Sequence, residues 1–179
     1  MNPVRGSDSI DGVDDSVIFP SEPGNKVIFL GKEALLARLS DLRGKQREEI
    51  VDRFFYLSRG QGYYFTDAFV IAEFLSTVRY GTSAERAEEV RDDLLSSAIR
   101  VRYGNDDWGE TELESSPKEI LLIATELFNE RDWIDFSVQE ATLVLAGVDA
   151  DYIFSFDTAI RELARSLDVE VLPYTNAIW

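Results

Sequence analysis

Five short apolar runs, set between longer amphipathic stretches, constrain the fold of this chain more than any other feature. They are VIFL at 27–30, YYF at 63–65, an apolar and arginine alternation at 99–103, YIFSF at 152–156, and VEVL at 169–172. Runs this short, rich in β-branched and aromatic residues and bounded by turn residues, read as strands. The intervening segments carry helical spacing. In 33–42, Leu35, Leu36 and Leu39 share one side, and Gly44 follows as a stop. In 46–58, Ile50, Val51, Phe54, Phe55 and Leu57 are apolar, and Gly60 and Gly62 end the helix. Further helices are predicted over 67–80, with Thr66 as cap and Gly81 as stop, and from Thr82 and Ser83 to about residue 97. Others follow from Ser116 and Pro117 to 129, over 137–147, and over 157–167.

Strands alternating with helices imply an α/β fold with a central, mostly parallel sheet covered on both faces. In such folds ligands bind at the carboxyl ends of the strands. The residues that follow the strands are therefore where chemistry is expected. Residues 1–25 are dominated by Gly, Ser, Asp and Pro, with Val13, Val17, Ile18 and Phe19 as apolar punctuation. They read as a flexible acidic N-terminal tail ahead of a single domain over 26–179.

Composition narrows the chemistry. The chain has no Cys and no His, which excludes disulfides, thiolate metal sites, imidazole ligands and histidine acid–base catalysis. Catalysis would fall to carboxylates, hydroxyls, backbone groups or a metal held by oxygen. There are 34 acids against 18 bases, a net charge of −16, and the acids are spread through every segment. That distribution fits an acidic surface adapted to a salty, halophilic cytoplasm. The rival explanation is a basic partner. In molar salt the Debye length falls to about 3 Å, so the charge does not exclude RNA. No apolar stretch is long enough to span a membrane, and the first residues lack the apolar run of a signal peptide, so a cytoplasmic location is expected.

Several acids stand out by position. Glu73 is the sole charge in AFVIAEFL at 68–75. A buried lone carboxylate costs several kcal/mol without a metal ion or an Arg to compensate it. Otherwise Glu73 lies at the edge of the buried face, paired or solvated. Asp157 directly follows a strand, where either an active-site acid or a plain helix N-cap belongs. Glu140 completes the capping-box pattern SVQE that starts at Ser137. Asp67 sits in a helical first turn, where negative charge suits the dipole, and could equally be an auxiliary acid.

Together these pieces resemble the PIN-domain family, whose members include VapC-type toxin ribonucleases, over nearly everything after residue 26. TDAFVIAEFL at 66–75 resembles the family's second motif, with Glu73 as its acid. DFSVQEA at 135–141 resembles the third, with Glu140 where Asp is usual, and YIFSFD at 152–157 resembles the fourth, with Asp157 as its acid. The departure is at the first motif. After Val27–Leu30 the family carries Asp, but here the turn reads Gly31, Lys32, Glu33. A second alignment, through Asp14, Asp15 and Ser16, lacks a preceding strand and runs into a Pro-containing loop at 20–24.

The resemblance implies a three-layer α/β/α PIN-like fold and a Mg2+- or Mn2+-dependent endoribonuclease. Glu73, Glu140 and Asp157 would be the catalytic and metal-binding acids, with Asp67 or Glu33 as a further ligand. Arg79 is the leading RNA-contact candidate, beside Arg38, Arg100 and Arg102. It also implies an antitoxin protein partner and a homodimer. Gly31, and Glu for Asp at 140, point to weakened activity, because catalytic geometry tolerates displacement poorly. The alternative is a catalytically inactive PIN-like RNA-binding or protein-interaction module. An unrelated nucleotide binder is disfavoured, since no Gly-rich phosphate loop follows any strand.

Overall fold

A computed structural model describes residues 9–10, 13–21, 25–40, 42, 44–58, 62–102 and 150–175. Two short strands, β1 (Ser9–Ile10) and β2 (Val13–Asp14), pair antiparallel ahead of helix α1 (Asp15–Ile18). The main sheet contains β3 (Val27–Leu30), β4 (Tyr63–Asp67), β5 (Arg100–Arg102), β6 (Tyr152–Phe154) and β7 (Glu170–Leu172). Its order is β5-β4-β3-β6-β7 and every pairing is parallel. The helices are α2 (Lys32–Leu39), α3 (Lys45–Ser58), α4 (Ala68–Gly81), α5 (Ala84–Ser96) and α6 (Thr158–Ser166). The architecture is three-layer α/β/α, as the alternation of strands and helices predicts, and the sheet is all-parallel.

The apolar runs become strands because both faces of the sheet are covered. Ile28, Phe29, Leu30, Phe65, Ile153 and Phe154 are buried. Register places Phe29 beside Phe65 on one face, where their rings meet edge to face at 5.1 Å. On the other face Phe54 of α3 packs on Phe154 at 5.0 Å and near Tyr64 at 6.5 Å. Helix α4 is apolar almost all round and packs against both α2 and α5, so it lies deep between its neighbours. Among the described residues, no helix is long and apolar enough to cross a membrane.

Two local expectations are corrected. Thr66 does not cap α4. It is still in β4, where its hydroxyl donates to the Leu30 carbonyl, and Asp67 is the N-cap, accepting from the Val70 amide at 2.9 Å. The helix predicted over 33–42 stops at Leu39, where the Ser40 amide and hydroxyl both donate to the Leu36 carbonyl.

The folded body also begins upstream of residue 26, so the whole of 1–25 is not a tail. Ile18 and Phe19 are buried, and the Phe19 ring lies 5.4 Å from Phe54 and 6.3 Å from Phe154. Asp15 pairs with Arg53 of α3 at 2.6 and 3.0 Å, and the Tyr174 amide donates to the Ile18 carbonyl at 2.7 Å. Two apolar residues beside each other make no periodic signal. Their burial is decided by distant rings on α3 and β6.

Candidate functional site

The strand order reverses direction at β3. From β3 the chain passes to β4 and β5 on one side, while β6 and β7 lie on the other. The switch point is therefore between β3 and β6, and a crevice is expected beyond their carboxyl ends. Gly31 closes β3 there, and its amide donates to the Phe154 carbonyl at 3.0 Å. Ser155, Phe156 and Asp157 follow β6. An open groove of about 450 Å3 is lined by Glu33, Arg47, Phe156, Asp157 and Thr158.

Asp157 is the N-cap of α6. One carboxylate oxygen accepts from the amides of Ala159 at 2.9 Å and Ile160 at 3.2 Å, and its own amide donates to the Ser155 hydroxyl. The loop that carries it is fixed from below by Arg161. That guanidinium is almost wholly buried and donates to the carbonyls of Ser155 at 2.8 Å and Pro173 at 2.5 Å. Burial, with Arg165 nearby, lowers its pKa to about 10, so it stays charged at neutral pH.

Glu73 is partly exposed at the edge of the apolar face of α4 and accepts from Lys32 Nζ at 3.1 Å. Glu73 is thus paired with a cation of the chain at the edge of the buried face. The same ammonium lies 3.9 Å from one oxygen of Glu33, whose other oxygen is 3.2 Å from Arg47. The Arg47 guanidinium in turn covers the Phe156 ring at 5.1 Å. A continuous chain of opposite charges, Glu73, Lys32, Glu33, Arg47, therefore runs from α4 across α2 to α3.

Of the acids singled out by sequence, Glu33 and Asp157 share one groove and Glu73 joins them through Lys32. Asp67 is fully buried at the carboxyl end of β4 and serves as a helix cap. Glu140 lies outside the described residues. Arg79 is exposed in the last turn of α4, and at six residues from Glu73 it stands roughly 9 Å along the axis and about 120° around it. Since α4 begins at the carboxyl edge of the sheet, Arg79 is carried away from the acids. Asp14 and Asp15, the rival first motif, cap α1 and pair with Arg53 respectively.

Sequence reasoning missed Arg47 and Arg161. Arg47 sits in the first turn of α3, where a cation opposes the helix dipole, and that mismatch was the available signal. Nothing local marks Arg161, which reads as one more exposed charge on a short amphipathic helix.

The described residues do not fit the Mg2+ or Mn2+ ion that the PIN resemblance implies. Gly31 offers no ligand, Glu73 and Glu33 are engaged by cations of the chain itself, and one oxygen of Asp157 is held by two amides. A divalent ion on either glutamate would meet a positive nitrogen about 4–6 Å away, a repulsion of roughly 5–8 kcal/mol at an effective dielectric of about 20, less where solvent screens it. Among the described residues no three acids converge as a metal-binding group. No family model, curated protein or solved structure matches the chain.

Proposed function

We propose that this chain is a PIN-like protein of a salty cytoplasm that binds RNA and has lost most or all metal-dependent cleavage. The observation that carries the proposal is the charge chain Glu73, Lys32, Glu33, Arg47 at the switch-point crevice. Glu33 and Asp157 line the groove beyond the carboxyl ends of β3 and β6, and Glu73 is linked to them through Lys32, which supports descent from a divalent-metal-dependent endoribonuclease of the VapC type. The cations that satisfy two of them come from the protein. Arg47 lines the groove and Lys32 pairs with its Glu33, so two cations stand at an edge that also carries three acids, and molar salt screens those acids from a phosphate backbone. An antitoxin protein or a second copy of the chain is the competing occupant.

The test is incubation of single-stranded RNA with the full chain in molar KCl and Mn2+, followed by both retention and length of the RNA. Retained, intact RNA is expected for wild type and for Asp157→Asn alike. Absence of retention at every salt concentration sinks the RNA reading and leaves a protein partner. A second reading, a weakly active endoribonuclease, is favoured by Glu33 and Asp157 lining one groove. Cleavage by wild type that disappears in Asp157→Asn would establish it over the first.

A further inference from the structure

We infer that Lys32 is the resident cation of the crevice: a tethered ammonium that stands in for the divalent ion and makes the site independent of metal. The inference rests on the PIN-like reading of the crevice but adds to it a residue and independence from metal.

Four observations converge. Lys32 is the first residue of α2, where the helix dipole disfavours a positive charge. Its side chain nevertheless reaches a carboxylate 41 positions away, Glu73, at 3.1 Å, and approaches Glu33 at 3.9 Å. A lysine with no role at this place would extend into solvent, as its strongly hydrated head favours. Second, Glu33 accepts from Arg47 on one oxygen at 3.2 Å, and the Lys32 ammonium stands 3.9 Å from the other. Third, the lack of an acid at 31 is not steric. A Cβ built on Gly31 meets nothing closer than the Phe154 carbonyl at 3.4 Å and Ser155 at 3.5 Å, and its φ of −76° suits any residue. The backbone and the space around it admit a Cβ, yet the turn carries glycine followed by lysine. Fourth, Arg47 is braced against the Phe156 ring, so the second cation is held in place rather than free to leave.

An ammonium satisfies carboxylates but has no open coordination position and does not activate water as a divalent ion does. The crevice is therefore held together by the chain's own charges. Its shape and stability are expected to be indifferent to Mg2+, Mn2+ or a chelator.

The experiment uses the full chain in molar KCl, which suppresses diffuse cation binding to the acidic surface. Mn2+ binding is followed by electron paramagnetic resonance of the free ion, and thermal unfolding is recorded with and without Mn2+. Wild type, Lys32→Met, Lys32→Arg, and Lys32→Met combined with Glu73→Gln are compared. Wild type and Lys32→Arg are expected to show no metal-dependent shift in Tm. Lys32→Met is expected to bind Mn2+ roughly tenfold more tightly, and Glu73→Gln to cancel that gain. Tight Mn2+ binding by wild type overturns the inference, and so does a gain that survives Glu73→Gln. If Lys32→Met does not fold, the wild-type and Lys32→Arg measurements still decide the matter. RNA retention is read on the same samples. Loss of RNA binding with the metal results as expected removes the RNA reading alone, and tight wild-type Mn2+ binding with RNA retained removes the tethered cation alone.

Discussion

Arg161 offers the most direct probe of how the crevice is held. It is 2% exposed, and its two terminal nitrogens bridge the carbonyls of Ser155, after β6, and Pro173, after β7. Replacing it with Ala leaves two buried carbonyls without those donors, at about 1–3 kcal/mol each. Loss of the packed side chain stem adds about 1–2 kcal/mol. Relief of the buried guanidinium's desolvation offsets part of this. A net loss of about 3–4 kcal/mol is expected, a large share of the roughly 5–15 kcal/mol that a domain of this kind has. Arg161→Met keeps much of the volume but neither donor, so it should recover only the packing share. Urea unfolding at constant molar KCl is the assay, followed by tryptophan fluorescence, with the midpoint and slope fitted together. Urea is chosen because guanidinium would change the ionic strength along with the denaturant. A loss below about 1 kcal/mol for Arg161→Ala at unchanged slope would refute the reasoning, since it would mean the two carbonyls are satisfied without the guanidinium.

Asp157→Ala should lower stability by about 1 kcal/mol through loss of the α6 cap, whereas Asp157→Asn, which still accepts from the Ala159 and Ile160 amides, should be near neutral in the same urea assay. Phe19→Ala should cost about 3–5 kcal/mol, because the ring lies between Phe54 and Phe154, and a surface-like value below about 1 kcal/mol would show that the N-terminal segment is not part of the core. Burial raises the pKa values of Tyr64 and Tyr152, and burial with Glu170 raises that of Tyr174, above the ordinary value of 10.0. Groups that hold their protons more tightly when folded contribute stability that is complete below the unfolded pKa and is lost as pH rises past it. Stability should therefore fall above about pH 10, and tyrosinate absorbance should show these three rings ionising later in the native protein than in urea.

The strand runs, the helices among the described residues and the parallel α/β class were legible in the chain, because burial on both faces of a sheet imposes continuous apolar runs that local composition records; the helices expected over 116–129 and 137–147 lie outside the described residues. The crevice was legible in position, since residues after strands gather at the carboxyl edge whatever their identity. Asp157 was legible as either a cap or an acid of that edge, and the structure shows it capping α6. The charge state of the acids there was not legible. Whether Glu73 faces a metal, water or a lysine depends on where Lys32 lands, 41 positions earlier, and no spacing rule links them. The docking of Ile18 and Phe19 depends likewise on rings contributed by α3 and β6, and the burial of Arg161 on two carbonyls at the ends of separate strands. Local sequence sets which backbone forms each segment adopts, because propensity and periodicity act within a few residues. Only the tertiary structure decides which charges meet, because ion pairs across the crevice are made between segments that the sheet alone brings together.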